Sequence, residues 1–339
     1  VPRRAEPVPD AALHAARRQE GLLTMRQCLA AGMTSRQVTG RVDRKEWERA
    51  ARGVYDTGIV RPETPSAAYD HRRRRTALLG PLAHPGAAAV GVGALVLRGV
   101  RGAPIEFEPE VAVPKARPRL GDGPVRVRRV LVPEPEDVDG ILCAPIVDAF
   151  ALAVPQLGRF DAVAMLDSAR HQGLLSDEDL LVARNRTAGR RGTRRSWAWW
   201  DESDARAESP AESWVRVSCV DRGCPPDTLQ VWIVDRRGGR LARVDMAWAL
   251  PDGGVLLVEI DGREVHGTPE ALVDDRRRQN RIDSRSTVVR RFTGGDARDG
   301  TAAAAVQRVL TAARWRPRPL PDHVAYCIER AEFVPKPWS

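Results

Sequence analysis

The chain has 339 residues, with 54 Lys and Arg against 45 Asp and Glu and a formal net charge of +9. That length suits two or three domains with cores of their own, and the absence of a run of about 18 apolar residues excludes an ordinary helical membrane span. Five cysteines, at 28, 143, 219, 224 and 327, include no CxxC pair, so a zinc ribbon is disfavoured and buried thiols in a reducing cytoplasm are expected. The opening VPRRAEPVPD lacks the apolar stretch of a secretory leader, and none is expected.

Residues 10–20 are rich in Ala and Arg and helical in pattern. Thr24 is placed to cap a second helix, Met25 to Ala31, which Gly32 ends as a left-handed residue. Thr34 caps a third, from Ser35 to about Arg44. Helix, short glycine turn, helix is the helix-turn-helix spacing. Trp47–Ala50 and Val54–Thr57, joined through Arg52–Gly53, read as a hairpin wing. Arg36, Arg41, Arg44 and Lys45 fall on or just after the third helix, and Arg49 and Arg52 on the wing. Residues 1–60 carry eleven Lys and Arg against seven Asp and Glu, so these six cations are the candidate contacts to duplex DNA.

LLTMRQCLAAGMTSRQVTGRV followed by WERAARGVYDTG resembles the N-terminal winged helix of AbiEi-type antitoxins. Thr24, Gln27, Ala30, Ala31, Gly32, Thr34, Gly53, Val54 and Tyr55 stand in that family's pattern. The resemblance implies DNA binding, often at the protein's own promoter, and a cognate toxin as partner.

The next stretch, 61–185, reads as a mixed α+β domain. Thr64–Leu79 is predicted helical and contains HRRRR at 71–75, either a phosphate-contacting patch or a solvated helical face. Leu82–Gly99 is predicted as a core helix with His84 near its start. Glu106–Pro114 and Val125–Val132 are predicted strands. Ile141–Leu157 and Asp161–Gln172 are predicted helices, and Ser176 with Asp179 begins a shorter one through a capping box. A basic, tryptophan-rich linker helix, 186–207, contains RRGTRRSWAWW. It reads either as a single-strand nucleic-acid track or as an anchor.

The last domain, 208–316, opens with Ser209 as N-cap, Pro210 at the first helical position and Glu212 three residues on. A strand over Leu229–Asp235 follows. Leu241–Ala249 and Val255–Ile260 then form a hairpin about Asp252–Gly253. Antiparallel pairing brings Asp245 to the level of Glu259 and Asp261, two acids on one strand face. Carboxylates so close repel unless a cation separates them; Mg²⁺ or Mn²⁺ suits oxygen ligands, and His266 is near enough in sequence to join. Thr268–Asp283 is a predicted helix, Ser286–Phe292 a strand and Ala302–Trp315 a helix, leaving 317–339 as a tail.

SPAES, RVDMAW, VEIDGREVH, DDRRRQN and VVRRFT resemble the DUF559 family, a branch of the Vsr-like, PD-(D/E)xK nuclease superfamily. The resemblance implies a restriction-endonuclease-like α/β domain, with Asp245, Glu259 and Asp261 on the metal and Glu212 and His266 assisting. Arg277 or Arg278 would reach a phosphate. The fold class expected is therefore α/β multi-domain, with 1–60 a winged helix-turn-helix. The function expected is Mg²⁺-dependent cleavage of double-stranded DNA in the cytoplasm, with no membrane partner. The alternative is an AbiEi-like antitoxin or repressor whose nuclease fold is degenerate: no lysine follows Glu259 at the position where that superfamily carries one.

Overall fold

The structure, a computed structural model, describes residues 7–113, 123–234, 239–261, 287–317 and 325–327. Two compact units divide the chain, the first Val1–Gly158 with Leu175–Trp197, the second Arg159–Leu174 with Ala198–Ser339. No helix among the described residues is long and apolar enough to cross a membrane.

The first unit begins with α1 (Asp10–Arg18), β1 (Leu22–Thr24), α2 (Met25–Ala30), α3 (Ser35–Asp43), β2 (Glu48–Ala51) and β3 (Val54–Asp56). Local chemistry sets these limits. Thr24 and Thr34 each accept from the backbone N–H three residues on, while Gln27 and Gln37 reach back to the cap, making two complete capping boxes. Gly32, at φ +90°, makes the turn between the two helices. The wing is a three-stranded sheet, because β1 joins the hairpin in the order β1-β3-β2. Ala12, Ala16, Leu23, Cys28, Met33, Val38, Trp47 and Tyr55 form its core.

The rest of this unit is α4 (Pro65–Ala83), β4 (Ala88–Ala89), α5 (Gly91–Leu97), β5 (Glu110–Ala112), β6 (Arg126–Arg128), β7 (Glu136–Val138), β8 (Ile141–Cys143) and α6 (Ile146–Ala153). Its sheet runs β6-β5-β4-β8-β7. Two expectations fail here. Leu82–Gly99 is not one helix: the chain turns at Pro85–Gly86, spends Ala88–Ala89 in the sheet, and only then forms α5. Ile141–Cys143 is a strand rather than the start of α6, because its backbone pairs with β7. Neither change could be read from apolar content alone, since a short apolar run fits either state.

The HRRRR run is neither a phosphate patch nor a freely solvated face. His71 Nδ1 and Arg74 Nε meet the Glu20 carboxylate at 2.7 and 3.0 Å, and Arg75 pairs with Asp56. Arg73 reaches Asp70 at 3.2 Å and Arg72 reaches Glu106 at 3.6 Å. The run fastens α4 to the winged helix.

After α7 (Arg159–His171), which belongs to the second unit, α8 (Asp177–Asn185) and α9 (Thr193–Ser196) complete the first. Ser176 and Asp179 form the expected capping box. In the tryptophan cluster, Trp199 and Trp200 are buried, which is the anchoring role. Trp197 is partly exposed beneath Arg184, whose guanidinium lies 4.2 Å from the ring centre.

The second unit adds α10 (Pro210–Asp221), β9 (Thr228–Val234), β10 (Arg240–Ala249), β11 (Val255–Asp261), β12 (Thr287–Thr293), α11 (Gly294–Asp299), α12 (Thr301–Ala312) and β13 (Ala325–Cys327). Its sheet has the order β12-β11-β10-β9-β13, with β10 antiparallel to both β9 and β11, and β12 parallel to β11. Part of the expected tail is thus an edge strand, since Ala325–Cys327 pairs parallel to β9. The predicted helix Thr268–Asp283 lies outside the described residues.

Along β11 the side chains alternate. Leu256, Val258 and Ile260 pack with Ala211, Val215 and Val306 of the helices, while Val255 and Leu257 join Val231 and Val244 on the other face. Beneath α10, Arg216 Nη2 meets the fully buried Asp167 at 2.7 Å, and its Nη1 donates to the Glu202 carbonyl at 2.7 Å. Asp167 also accepts from the Asp204 N–H at 2.7 Å. This pair ties α7 and α10 together. Asp167→Ala leaves a guanidinium buried without its counter-charge, and urea denaturation should show a loss of about 3–5 kcal/mol. An exposed control, Glu134→Ala, should change stability by less than about 0.5 kcal/mol.

Candidate functional site

The six cations expected to meet DNA separate into two groups. Arg36, Lys45, Arg49 and Arg52 are exposed, with no ion-pair partner among the described residues. Arg41 and Arg44 are both held by Glu46: Arg41 Nη1 lies 2.8 Å from Oε2 and Arg44 Nε 2.7 Å from Oε1. The Arg41 side chain is only 12% exposed, and its guanidinium stacks over Trp47 at 5.6 Å from the ring centre. The hydrogen bond from Arg44 holds the Glu46 carboxyl below the usual glutamate range. Lys45 takes a left-handed backbone, φ +58°, which turns the chain so that the Glu46 N–H donates to the Arg41 carbonyl at 2.9 Å. Arg41 and Arg44 therefore have a structural use that charge counting did not show. Arg26, exposed near the start of α2, is a cation that sequence reasoning passed over; its place at the start of the first helix of the motif was the available signal.

The carboxylates of the second unit gather around a fault in the sheet. Leu229 and Met246 face the helices, whereas Val231 and Val244, two residues away on the same strands, face the opposite side. Residues two apart share a face in a regular strand, so both strands turn over at the level of Gln230 and Asp245. Gln230 sits at φ +53°, a left-handed conformation rare for a residue with a side chain. The ladder between β10 and β11 stops at Met246 opposite Val258. Beyond it the Ile260 N–H donates instead to Asp245 Oδ2 at 2.7 Å.

Glu212 reaches this point from α10. Its backbone N–H donates to the Ser209 hydroxyl at 3.2 Å, as expected of an N-cap. Its side chain does not close a capping box on Ser209. Glu212 Oε2 accepts from the Glu208 N–H at 3.0 Å and from Gln230 Nε2 at 2.8 Å. Glu259 projects with Val255 and Leu257 by strand alternation, and its Oε2 lies 2.9 Å from Arg291 Nε on β12. Asp261 is exposed at the end of β11. His266, Arg277 and Arg278 lie outside the described residues. Gln230 and Arg291 were not singled out from sequence. A polar residue inside LQVWIV was the available signal for the first; parallel pairing of Glu259 with Arg291 gave no sequence signal.

Asp245 carries the main electrostatic consequence. Burial pushes its carboxyl up to about 7, the nearby Glu212 and Glu259 charges add to the rise, and the Ile260 N–H opposes it. Burial also raises Glu212. The other two acids reach Asp245 from different directions, Glu212 from the helix side and Glu259 from the other face. Among the described residues no group of three His, Cys, Asp or Glu is arranged to hold a metal ion. Each of the three carboxylates already has a protein partner.

A family model described as a transcriptional regulator, AbiEi antitoxin, matches residues 10–55. The N-terminal module carries an AbiEi-type regulator domain. Two curated proteins of Mycobacterium tuberculosis, uncharacterized protein MT2308 of strain CDC 1551 and uncharacterized protein Rv2248 of strain H37Rv, are each 32% identical to this chain over 161 residues. The match covers 47% of this chain and 58% of each relative, so the chain spans somewhat more than half of their length.

The raised pKa of Asp245 has a stability consequence with a definite sign. The folded state binds the proton more tightly than the unfolded chain, whose Asp titrates near 3.8. Stability is therefore favoured below that value and falls as pH rises through about 7. Asp245→Asn removes the charge, so thermal unfolding should show a higher Tm than wild type at pH 8 and a negligible difference at pH 4. Equal gains at both pH values would show that the carboxylate is not strained.

Proposed function

We propose that the chain is a DNA-binding transcriptional regulator of the AbiEi antitoxin type, with the winged helix as its reading head. The observation that carries this reading is the regulator-family match over residues 10–55, on a segment with two complete capping boxes and a three-stranded wing. Arg36, at the second position of α3, is placed to enter the major groove, since the N-terminal residues of a recognition helix meet base edges. Arg49 and Arg52 on the wing, with Arg26 and Lys45, supply phosphate contacts that set register and carry no sequence information. A cognate toxin is the protein partner that an antitoxin-type regulator would have.

Metal-dependent cleavage of DNA is a second reading, supported by one observation: the charges of Glu212 and Glu259 both act on Asp245 where two strands turn over. Asp261 and His266 would complete that site with Mg²⁺ or Mn²⁺, and Arg277 or Arg278 would bind phosphate. The ion pair of Glu259 with Arg291 and the exposed Asp261 favour the regulator.

The test of the main reading is duplex selection from a random library, with the DNA upstream of the gene as a second probe. Fluorescence anisotropy across a salt series follows. Arg52→Ala should weaken binding to all sequences and flatten the slope of log K against log salt by about one. Arg36→Ala should cost about 1–3 kcal/mol on the selected duplex and relax its sequence preference. No selected sequence and no salt-dependent binding would sink the regulator. Supercoiled plasmid incubated with Mg²⁺ or Mn²⁺ separates the second reading: it should remain intact, and cutting that Asp245→Asn abolishes would establish the nuclease in its place.

A further inference from the structure

We propose that Glu46 acts as an internal competitor for DNA phosphate and holds down the sequence-independent affinity of the reading head; this rests on the DNA-binding reading above. The geometry is a clamp. One carboxylate takes a guanidinium on each oxygen, Arg41 at 2.8 Å and Arg44 at 2.7 Å. Both arginines lie at the C-terminal end of α3, away from the N-terminal residues that meet bases. Contacts from that end would go to phosphate, and phosphate contacts add the same affinity to every sequence.

The two arginines are held differently. Arg41 is covered and stacked on Trp47, so its guanidinium belongs to the fold. Arg44 is half exposed and can exchange between the Glu46 carboxylate and a phosphate oxygen, both of which accept its N–H donors in the same way. Glu46 is itself exposed, so a phosphate can approach the pair, but it must displace a carboxylate to gain the contact. The left-handed turn at Lys45 fixes the competitor in place. Arg36, at the other end of the helix, has no such carboxylate. Withholding one phosphate contact therefore lowers binding to every duplex by the same factor and leaves the ratio between a read site and random DNA unchanged.

The experiment compares wild type with Glu46→Gln, an isosteric change that keeps the hydrogen-bond acceptor and removes the charge. The full chain is titrated against the selected duplex and a scrambled duplex of equal length, by anisotropy across a salt series. Glu46→Gln is expected to bind the scrambled duplex roughly three- to tenfold more tightly at about 0.1 M salt. Its salt slope should steepen by about 0.9 for each freed arginine. The selected duplex should gain by the same factor, so the ratio of selected to scrambled affinity should stay unchanged. Adding Arg44→Gln to that variant should remove the gain, and unchanged thermal unfolding should show that the fold is kept. Unchanged slope and affinities in a folded Glu46→Gln chain, or weaker binding to both duplexes, would overturn the competitor role while leaving DNA binding intact. Failure of the wild-type chain to bind either duplex would overturn the DNA-binding reading, and this inference with it.

Discussion

The contact on which the first unit most depends is the Glu20 carboxylate, which receives His71 and Arg74 from a helix more than fifty residues away. Both of its oxygens are used, and Asp56 takes Arg75 beside it. Long-range ion pairs between partly buried side chains are worth more than those on an open surface, because water screens them less. Their importance here is geometric. They fasten α4 against the small helical module, which is too short to bury a large core by itself. They also consume most of the positive charge of the HRRRR run. The chain's excess of cations is therefore a poor measure of the charge it offers to a ligand. What a polyanion meets is the set that no carboxylate has claimed, and among the described residues of the winged helix that set includes Arg26, Arg36, Lys45, Arg49 and Arg52.

The second unit is built around a different constraint. Two neighbouring strands turn over at Gln230 and Asp245, so their side chains change face without an inserted residue. A turnover leaves backbone groups without ladder partners. The Asp245 carboxylate takes one of them, the Ile260 N–H, and the Gln230 amide connects the strand to Glu212 on α10. The fault thus holds an acid at its centre, since the Asp245 carboxylate satisfies a donor that the sheet has released. That structural use explains much of the gathering. It also explains why the acids do not surround one point, because they reach the fault from both faces of the sheet.

Elements with local signals were legible in sequence. Both helices of the reading head carry Thr caps with Gln three residues on, and Gly32 and Gly53 mark their turns, so their limits fall within a residue or two of expectation. The hairpin around Asp252–Gly253 was legible for the same reason. What failed was the assignment of short apolar runs. Ala88–Ala89 is a strand because partners distant in sequence pair with it, and Ile141–Cys143 because it closes a hairpin on Glu136–Val138 through Asp139–Gly140. The site divided along the same line. Asp245 and Glu259 were identifiable as acids out of place in apolar strands, but the turnover at Gln230 depends on a backbone angle, and Arg291 reaches Glu259 across a parallel pairing. Arg41 and Arg44 were read as free because their partner, Glu46, sits past a left-handed lysine that sequence does not announce.

Asp245 remains the residue that the fold explains least completely. Its hydrogen bond from Ile260 needs an acceptor, and an asparagine oxygen would serve without a charge. The charge brings burial, repulsion from Glu212 and repulsion from Glu259, each acting against the ionised form. A group that only packed or only capped would gain by losing that charge, and natural chains tolerate such strain chiefly where a function uses it. Glu259 differs, because Arg291 already neutralises it. The unbalanced charge of this unit is thereby concentrated on Asp245 and Glu212, one acid at the fault in the sheet and one on the helix beside it. Among the described residues these two acids carry the strain of the fault.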